Sequence, residues 1–404
     1  MNPDIIVVGA GPAGSTAAKN LAEKGFDVLI IDKKKFPRDK PCGGGLPIRV
    51  LQSFPYIKKY DLIDSYSYFG IVYSSSLRYK AESEKKTPIV AMVHRDKFDT
   101  GLLEIAVDKG AEFIGGKAVK NITTSSDKVK IELNDGSSIS SKIVIGADGY
   151  SSIVRKRLNL NPSNLYIAVC VYNEFLMDEK TVLDFFTDKR KVYIFLKIMG
   201  IRGYGWVFPK RDSVNIGIGE YIVGSKENNN NLKEVYLSFL SLLKKEKIIK
   251  DDLKSDKLCG GGFIFWPPKK TYTDRVLLCG DAAGFVNPLT GEGIYNAMVS
   301  GRIASEVICS SLENENTSYR FLSKYQKMWK NDFGKDLELL VKNTHNWSSD
   351  TEKFIKRVSQ DNEFAGMCLD IMSGEKSFYE MRWKILRKYI SIVLKEKIGQ
   401  QNLL

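Results

Sequence analysis

The sequence has no long hydrophobic segment and no leader-like N-terminus. Nowhere do roughly eighteen or more apolar residues follow one another, which is the length that a transmembrane helix needs. The chain enters a hydrophobic strand directly after Asp4, without the basic segment and apolar core of a signal peptide. We therefore expect neither a membrane span nor a secretion signal, and we expect a cytoplasmic location.

Histidine and cysteine are scarce and form no metal-binding pattern. There are two histidines and six cysteines, and the cysteines lack the spacing of zinc ligands. We therefore expect no metal site and, in a reducing compartment, mostly free thiols. Little histidine and abundant lysine also fit a thermophilic protein, for which a disulfide between Cys309 and Cys368 is a further hypothesis. The cysteines stand at positions 42, 170, 259, 279, 309 and 368.

Acidic residues are outnumbered by basic ones. The chain has 61 Lys and Arg against 48 Asp and Glu, which gives a formal net charge of +13. Such a charge attracts polyanions, either nucleic acid or an anionic lipid surface. No nucleic-acid-binding motif accompanies it, so we favour lipid and expect no nucleic-acid partner. A solvated, lysine-rich surface is the alternative explanation.

What the chain does contain is a glycine-rich turn between a strand and a helix, Gly9-Ala-Gly11-Pro-Ala-Gly14. Gly9 permits the tight turn, Gly11 lets a pyrophosphate approach the backbone, and Gly14 lets the helix pack on the strand. The phosphates then meet the N–H groups of the helix start. The next strand ends at Asp32, where a ribose hydroxyl needs an acceptor. This pattern predicts a dinucleotide site and leaves FAD and NAD open.

Two later segments resemble the second and third motifs of flavoprotein hydroxylase-like enzymes, which NAD dehydrogenases lack. They are Val-Ile-Gly-Ala-Asp148-Gly and Leu-Leu-Cys-Gly-Asp281-Ala-Ala-Gly. The resemblance implies FAD, with Asp281 at its ribityl chain and the next helix pointing its N-terminus at the isoalloxazine. A helix N-terminus there favours the negative charge of the reduced ring. The resemblance further implies, as cofactor-binding residues, Ala13, Arg95, Val119, Gly291, Gly293 and Ile294.

A loop and a strand resemble the geranylgeranyl reductase family, flavoenzymes that saturate the isoprenoid chains of archaeal lipids and of chlorophyll side chains. The loop is Lys-Pro-Cys42-Gly43-Gly-Gly45-Leu, and the strand at 204–210 reads Tyr-Gly-Trp-Val-Phe-Pro-Lys. The similarity runs from residue 1 to about residue 305 and implies that the loop lies beside the isoalloxazine. Three roles stay open for the Cys42 thiol: it delivers a proton, lines the alkene pocket or fills space.

Aromatic residues alternate along the strand, so Tyr204, Trp206 and Phe208 share one face. Alternation alone is typical of core packing, whereas the family resemblance implies one wall of a lipid cavity. Phe265 and Trp266 follow a second run of three glycines and are predicted to form another wall. We assign substrate binding to these five residues, and stabilisation of positive charge to Tyr204 and Trp206.

The pattern of strands and helices predicts an α/β protein, α+β overall. It has an FAD-binding Rossmann-like domain, an inserted mixed or antiparallel β-sheet that roofs the flavin, and a helical C-terminal region. The resemblance implies the p-hydroxybenzoate hydroxylase type of fold. Single elements include a strand at 111–122 and a helix at 232–245. The predicted domains are 1–55, 89–165 and 272–305 for FAD, 56–88 and 166–271 for the substrate, and 306–404 for the C-terminal region.

An isolated alkene has no carbonyl to polarise, so its saturation needs a hydride at one carbon and a proton at the other, in a pocket without water. The resemblance implies an FAD-dependent reductase of geranylgeranyl chains, on a membrane ether-lipid precursor or a diphosphate. Ferredoxin and NAD(P)H are both compatible electron donors. Two alternatives stay open: an FAD monooxygenase that uses NAD(P)H and O₂, and a non-catalytic, membrane-associated flavin-binding electron carrier.

Near the C-terminus, apolar residues recur at helical spacing beside Arg382, Lys384, Arg387 and Lys388. The pattern predicts a basic amphipathic helix. One interpretation places this helix on anionic headgroups at the inner face of the cell membrane. The other packs it on the substrate domain with its basic face in water.

Overall fold

The computed structural model describes residues 2–162, 166–222, 231–254, 257–266, 269–343 and 350–401. The described helices are α1 (Pro12–Ala22), α2 (Arg49–Ser53), α3 (Tyr56–Lys59), α4 (Arg95–Asp108), α5 (Ile153–Arg157), α6 (Glu179–Phe186), α7 (Leu232–Lys245), α8 (Ile294–Glu313), α9 (Tyr319–Trp329), α10 (Lys335–Asn343), α11 (Thr351–Ser359), α12 (Asn362–Met372) and α13 (Phe378–Gln401). The described strands are β1 (Ile5–Val8), β2 (Val28–Asp32), β3 (Gly45–Pro47), β4 (Ser65–Ser67), β5 (Phe69–Tyr73), β6 (Lys80–Glu84), β7 (Val90–Met92), β8 (Glu112–Gly115), β9 (Val119–Thr124), β10 (Val129–Leu133), β11 (Ser138–Ser141), β12 (Ile143–Gly146), β13 (Tyr166–Leu176), β14 (Val192–Leu196), β15 (Gly203–Pro209), β16 (Ser213–Ile222), β17 (Cys259–Phe265), β18 (Tyr272–Thr273) and β19 (Val276–Leu278).

The chain forms two compact units, each assembled from three segments. The first comprises Met1–Lys40, Arg95–Ile167 and Gly262–Thr344, and the second comprises Pro41–His94, Ala168–Gly261 and His345–Leu404.

The first unit is built on a six-stranded sheet in the order β18-β19-β12-β1-β2-β8. All neighbours are parallel except β18, which pairs antiparallel with β19. β1 and β2 are buried along their whole length, as expected for parallel strands covered by helices. Helix α1 packs on α8 and α4. The two helices α1 and α8 approach each other closely at Gly301, which has no side chain. A Cβ at this position would lie 2.3 Å from the carbonyl oxygen of Ala13.

The second unit contains a seven-stranded sheet in the order β17-β13-β16-β15-β14-β5-β6 and a small sheet in the order β3-β7-β4. The larger sheet is mixed, since β14 and β5 are parallel while β15 is antiparallel to both of its neighbours. Helix α7 covers one face, where Val207 packs in a core with Tyr236 and Phe239. The alternating residues Tyr204 and Trp206 therefore lie on the other face of β15. The predicted fold class is confirmed by this architecture.

The helix predicted at 232–245 is confirmed with the same bounds, and the Asn231 side chain caps its start. The predicted strand at 111–122 is wrong, because β8 and β9 belong to different sheets and Gly116 between them has a φ of +80°.

The two compact units divide the chain differently from the predicted domains. Residues 41–55 join the second unit, since β3 pairs with β7, and the C-terminal helices are divided between the units after α10.

The hypothesis of a disulfide between Cys309 and Cys368 is wrong, because both are free thiols. Cys309 lies on α8 of the first unit and Cys368 on α12 of the second. The expectation of no membrane span agrees with the helices that the structure describes, since none of them combines the length and the hydrophobicity needed to cross a bilayer.

Candidate functional site

The glycine turn is held against the second motif. Gly9 has a φ of +104°, and a Cβ on it would lie 2.3 Å from the carbonyl oxygen of Ala147, so only glycine fits. A Cβ on Gly14 would lie 1.9 Å from the carbonyl oxygen of Gly9. Gly11 precedes α1 and has no side chain to cap it. The first N–H groups of α1 can therefore receive an anion such as a pyrophosphate.

Asp32 ends β2 and is buried, and its carboxylate organises the same turn. Oδ2 accepts a hydrogen bond of 2.8 Å from the N–H of Ala10, and Oδ1 accepts one of 2.8 Å from the N–H of Lys34. The carboxylate thus fixes the backbone between Gly9 and Gly11. Its bond to a ribose hydroxyl stays a prediction.

Arg95 opens α4 and is 7% exposed, and its contact with FAD stays a prediction. Its Nε and Nη2 donate to the two carboxylate oxygens of Asp99 over 2.9 and 2.7 Å. Arg38 Nη2 lies 2.9 Å from Oδ2 of the same carboxylate. Burial by itself would raise the pKa of Asp99, but the two guanidinium groups lower it. Asp99 is therefore ionised and shared by two arginines.

Arg38 is a candidate that the sequence interpretation missed. Two guanidinium groups and one carboxylate leave one positive charge in excess. Nη1 of Arg38 is buried without a hydrogen-bond partner among the described residues, and its Nη2 lies 3.6 Å from the position of a Cβ on Gly11. The surplus charge therefore stands beside the turn where a pyrophosphate is predicted, and this donor set fits FAD. No local motif marks Arg38, because Asp99 and Gly11 meet it only in the folded chain.

Asp148 of the second motif holds the start of α5. Its Oδ2 accepts hydrogen bonds from the N–H groups of Ile153 and Val154 over 2.7 and 3.2 Å. Its Oδ1 is buried and has no hydrogen-bond partner in the part of the chain that the structure describes. Burial raises the pKa of Asp148. One carboxyl oxygen thus has a structural role, and the contact of Asp148 with the cofactor stays a prediction.

Asp281 of the third motif lies in a 3₁₀ turn, Gly280–Ala283. Its Oδ2 is 3.4 Å from Lys40 Nζ, and its Oδ1 is 3.3 Å from the position of a Cβ on Gly293. Gly291 has a φ of +68°, and Gly293 ends the loop before Ile294 opens α8 without a side-chain cap. The folded chain therefore brings Asp281 to the N-terminus of α8, while their contacts with FAD stay predictions.

Three further candidates lie within the first unit. Val119 opens β9 in a small antiparallel sheet. Phe265 is 1% exposed. Trp266 has the Arg155 guanidinium 5.1 Å from its ring centre and packs on Gly284, where a Cβ would lie 2.6 Å from the ring. Trp266 thus lies between Arg155, which follows the second motif, and Gly284 of the third motif. Its substrate contact stays a prediction.

In the second unit, the glycine loop after Cys42 lies on the aromatic face of β15. A Cβ on Gly43 would lie 2.9 Å from the ring of Phe208 and 3.2 Å from Nε1 of Trp206. A Cβ on Gly45 would lie 3.4 Å from the Phe208 ring. The two segments that carry the geranylgeranyl reductase resemblance are therefore in contact. Gly43 in particular leaves no room for a side chain, because the Phe208 ring occupies that space.

Neutral thiol and phenol groups lie at this loop. The half-buried Cys42 accepts a hydrogen bond of 3.3 Å on Sγ from the N–H of Gly44. Burial raises the pKa of Tyr204, and the nearby thiols of Cys170 and Cys42 raise it further. Burial also raises the pKa of Cys170 to about 11. Tyr204 and Cys170 therefore carry their protons at neutral pH.

A polar network supports the aromatic wall, and the sequence interpretation missed it. Trp206 Nε1 donates to Oδ1 of Asn215 over 2.7 Å, and Nδ2 of Asn215 donates to Oε2 of Glu174 over 2.7 Å. Glu174 also accepts from Lys210 Nζ over 2.8 Å and from Ser213 Oγ over 2.6 Å. Lys210 and Asn215 are 2% and 0% exposed. A buried lysine of this kind needs its carboxylate partner.

Comparisons with known proteins agree with this geometry. Residues 2–172 match the FAD binding domain family. The digeranylgeranylglycerophospholipid reductase of Methanococcus vannielii is 33% identical over 81% of this chain and 82% of its own length. Digeranylgeranylglycerophospholipid reductase 1 of Methanopyrus kandleri is 34% identical over 82% and 87%. The crystal structure of a geranylgeranyl bacteriochlorophyll reductase-like protein from Thermoplasma acidophilum matches with a TM-score of 0.80 and 25% identity, over 94% of this chain and 98% of that chain.

Proposed function

Because this chain belongs to the digeranylgeranylglycerophospholipid reductase family, we propose that it is an FAD-dependent reductase that saturates the geranylgeranyl chains of a glycerophospholipid. The observation that carries the proposal is the contact between the glycine loop at Gly43 and the aromatic face formed by Trp206 and Phe208. On such a face, the alkene would contact the surfaces of aromatic rings and would meet few polar groups. A phenolic substrate would instead need directed hydrogen-bonding groups, which disfavours the monooxygenase alternative.

Bound and reduced FAD would supply the hydride, which the branched carbon of the alkene accepts. The residues of the chain supply the rest. A proton reaches the less substituted carbon, and the positive charge that develops at the branched carbon is stabilised by the ring faces of Tyr204 and Trp206. The apolar wall keeps out water, which would otherwise capture this charge.

We assign proton delivery to the Cys42 thiol, which lies on the loop next to this wall and is restored by a proton from solvent. Replacement by serine keeps a weaker acid at the same place, and replacement by alanine removes it. If Cys42→Ala turns over every double bond at the wild-type rate, the thiol only fills space and the assignment is wrong. A loss in Cys42→Ala with partial activity in Cys42→Ser supports the assignment.

Anaerobic incubation of chemically reduced enzyme with a geranylgeranyl glycerophospholipid tests the function. Saturation of the chains, seen as a mass gain of two hydrogens per double bond, is the expected result. Hydroxylation that depends on added O₂ would support the monooxygenase instead. Absence of both products would support the electron carrier.

The electron donor and the location are part of the same proposal. Ferredoxin or NAD(P)H reduces the flavin, and anaerobic bleaching of the oxidised flavin by either donor distinguishes them.

The substrate resides in a membrane, and the net charge of +13 favours anionic lipid surfaces. We therefore place the protein peripherally on the inner face of the cell membrane.

A further inference from the structure

Helix α13 has two apolar faces, and one of them packs on the described part of the chain while the other is exposed. Ile392 is 9% exposed and lies in a core with Ile355 and Phe364. Ile385 and Tyr389 pack against the same core. On the other side of the helix, the exposed apolar side chains are Trp383 (59%), Leu386 (44%), Ile390 (47%), Leu394 (54%) and Ile398 (58%).

These five residues, here called the exposed stripe, follow one another at intervals of three or four residues. This spacing places them on one side of the helix. Single exposed apolar residues are ordinary on protein surfaces, whereas a continuous row of large ones marks an interaction site. The sequence pattern predicted one apolar face beside basic residues, whereas the structure shows one apolar face buried on the core and a second one exposed on the outer side of α13.

Cations lie along the exposed stripe. Lys384, Arg387 and Lys395 are exposed, and within the described ranges no ion pair or hydrogen bond involves their side chains. Lys388, in contrast, lies 2.9 Å from Asp361 and 2.6 Å from Glu363 and is engaged with α12 and the residue before it. The outer side of the helix therefore combines large apolar side chains with unneutralised positive charge.

We propose that the exposed stripe docks on the surface of a bilayer that contains anionic lipid. Apolar side chains of an interfacial helix enter the boundary between headgroups and acyl chains, where tryptophan is favoured, while lysine and arginine contact anionic headgroups. A second copy of this chain is a poorer occupant. A two-fold contact would bring the same cations together, and each copy already carries a charge of +13.

This inference deepens the proposed function, on which it rests in one respect: a reductase of membrane lipids must reach its substrate at the membrane.

Docking itself is measured by vesicle binding, without any turnover of substrate. The full-length holoprotein is sedimented with phosphatidylglycerol vesicles, with neutral phosphatidylcholine vesicles, and at low and high salt. The test variant is Ile390→Glu/Leu394→Glu, which alters exposed positions. The matched control is Leu176→Glu/Leu237→Glu, at positions that are 81% and 42% exposed outside α13.

We expect the wild-type protein and the control variant to bind phosphatidylglycerol vesicles and to bind neutral vesicles weakly. The test variant should bind at least about tenfold more weakly, since charged groups replace apolar anchors. Equal binding by the test variant, or no vesicle binding by the wild type, overturns the proposal. A wild-type dimer that the test variant converts to a monomer, without vesicle binding, identifies a second copy as the occupant and also overturns it.

Activity on detergent-dispersed lipid separates this proposal from the proposed function. The test variant should saturate dispersed substrate at the wild-type rate, because the stripe serves only access. Vesicle binding that depends on the stripe, in a protein that saturates no geranylgeranyl chain, would retain the docking surface and reject the reductase.

Discussion

The indole Nε1 of Trp206 donates its hydrogen to Oδ1 of Asn215 over 2.7 Å, and both residues are buried. The ring also lies on Gly217, where a Cβ would approach within 2.2 Å. Asn215 in turn donates to Glu174. The Asn215 amide therefore links the indole of Trp206, the ring proposed to stabilise positive charge, to the carboxylate of Glu174 on β13.

Replacing Asn215 by leucine should lower kcat for alkene saturation about tenfold, because the indole loses the bond that orients it and Glu174 loses a donor. The free energy of unfolding should fall by about 1–3 kcal/mol, the usual cost of leaving buried polar groups unpaired. FAD affinity should not change. Steady-state kinetics, chemical denaturation and a flavin titration measure the three quantities.

Asn173→Leu is the control for this prediction. Asn173 is 4% exposed, and its Nδ2 donates to the carbonyl oxygen of Lys257, away from Trp206. The control should lose comparable stability and keep its kcat. An equal loss of kcat in both variants would show that general destabilisation, and not the orientation of Trp206, explains the effect.

Gly43→Ala should reduce turnover at every double bond. The new methyl group would lie 2.9 Å from the Phe208 ring and 3.2 Å from Nε1 of Trp206, so the loop or the rings must shift. Flavin absorbance and FAD affinity are measured alongside turnover, because the loop is predicted to lie beside the isoalloxazine. Gly366→Ala, on α12, is the control, because a Cβ there meets no atom within 4 Å and alanine favours a helix. Wild-type turnover in Gly43→Ala would contradict the close contact.

Arg38→Met should weaken FAD binding by roughly ten- to a hundredfold, because it removes the positive charge beside Gly11. Arg95→Met should instead act mainly on stability, with a loss of about 3–5 kcal/mol, since it takes the paired donor from a fully buried carboxylate. Equilibrium flavin titration and denaturation of the apoprotein separate the two effects.

Arg302→Met is the control for both variants, because its pair with Glu306 is more than a third exposed and contributes little. It should change neither FAD affinity nor stability appreciably. The assignment of Arg38 fails if its replacement leaves the FAD dissociation constant unchanged.

The free thiols should differ in reactivity at pH 8. Burial raises the pKa of Cys170 to about 11 and those of Cys279 and Cys368 to about 12. Only the thiolate reacts, and at pH 8 it amounts to about a thousandth or less of these groups. Iodoacetamide should therefore modify these three thiols more slowly in the native protein than in denaturant, as peptide mass spectrometry can follow. Since the structure has free cysteines only, all six should react in denaturant, and a smaller number would contradict the absence of a disulfide.

Much of the cofactor unit could be predicted from the sequence because its signals are local. The turn at Gly9 and Gly14 needs residues without side chains, and strand, turn and helix follow one another along the chain. The same holds for one helix of the second unit, at 232–245, which carries its own cap, Asn231. Asp281 and the start of α8 lie close in sequence, so their proximity in space follows from one short loop.

The sequence by itself therefore determined the dinucleotide fold, the resemblance to reductases and the alternation of aromatic side chains along β15. The tertiary structure alone decided that Arg38 meets Asp99, that Trp206 is oriented by Asn215 and Glu174, and which apolar face of α13 is buried. These contacts join residues on separate segments, and periodicity within one element cannot report its partners. One apolar face of α13 is buried because residues distant in sequence pack against it, and this packing leaves the exposed stripe at the surface.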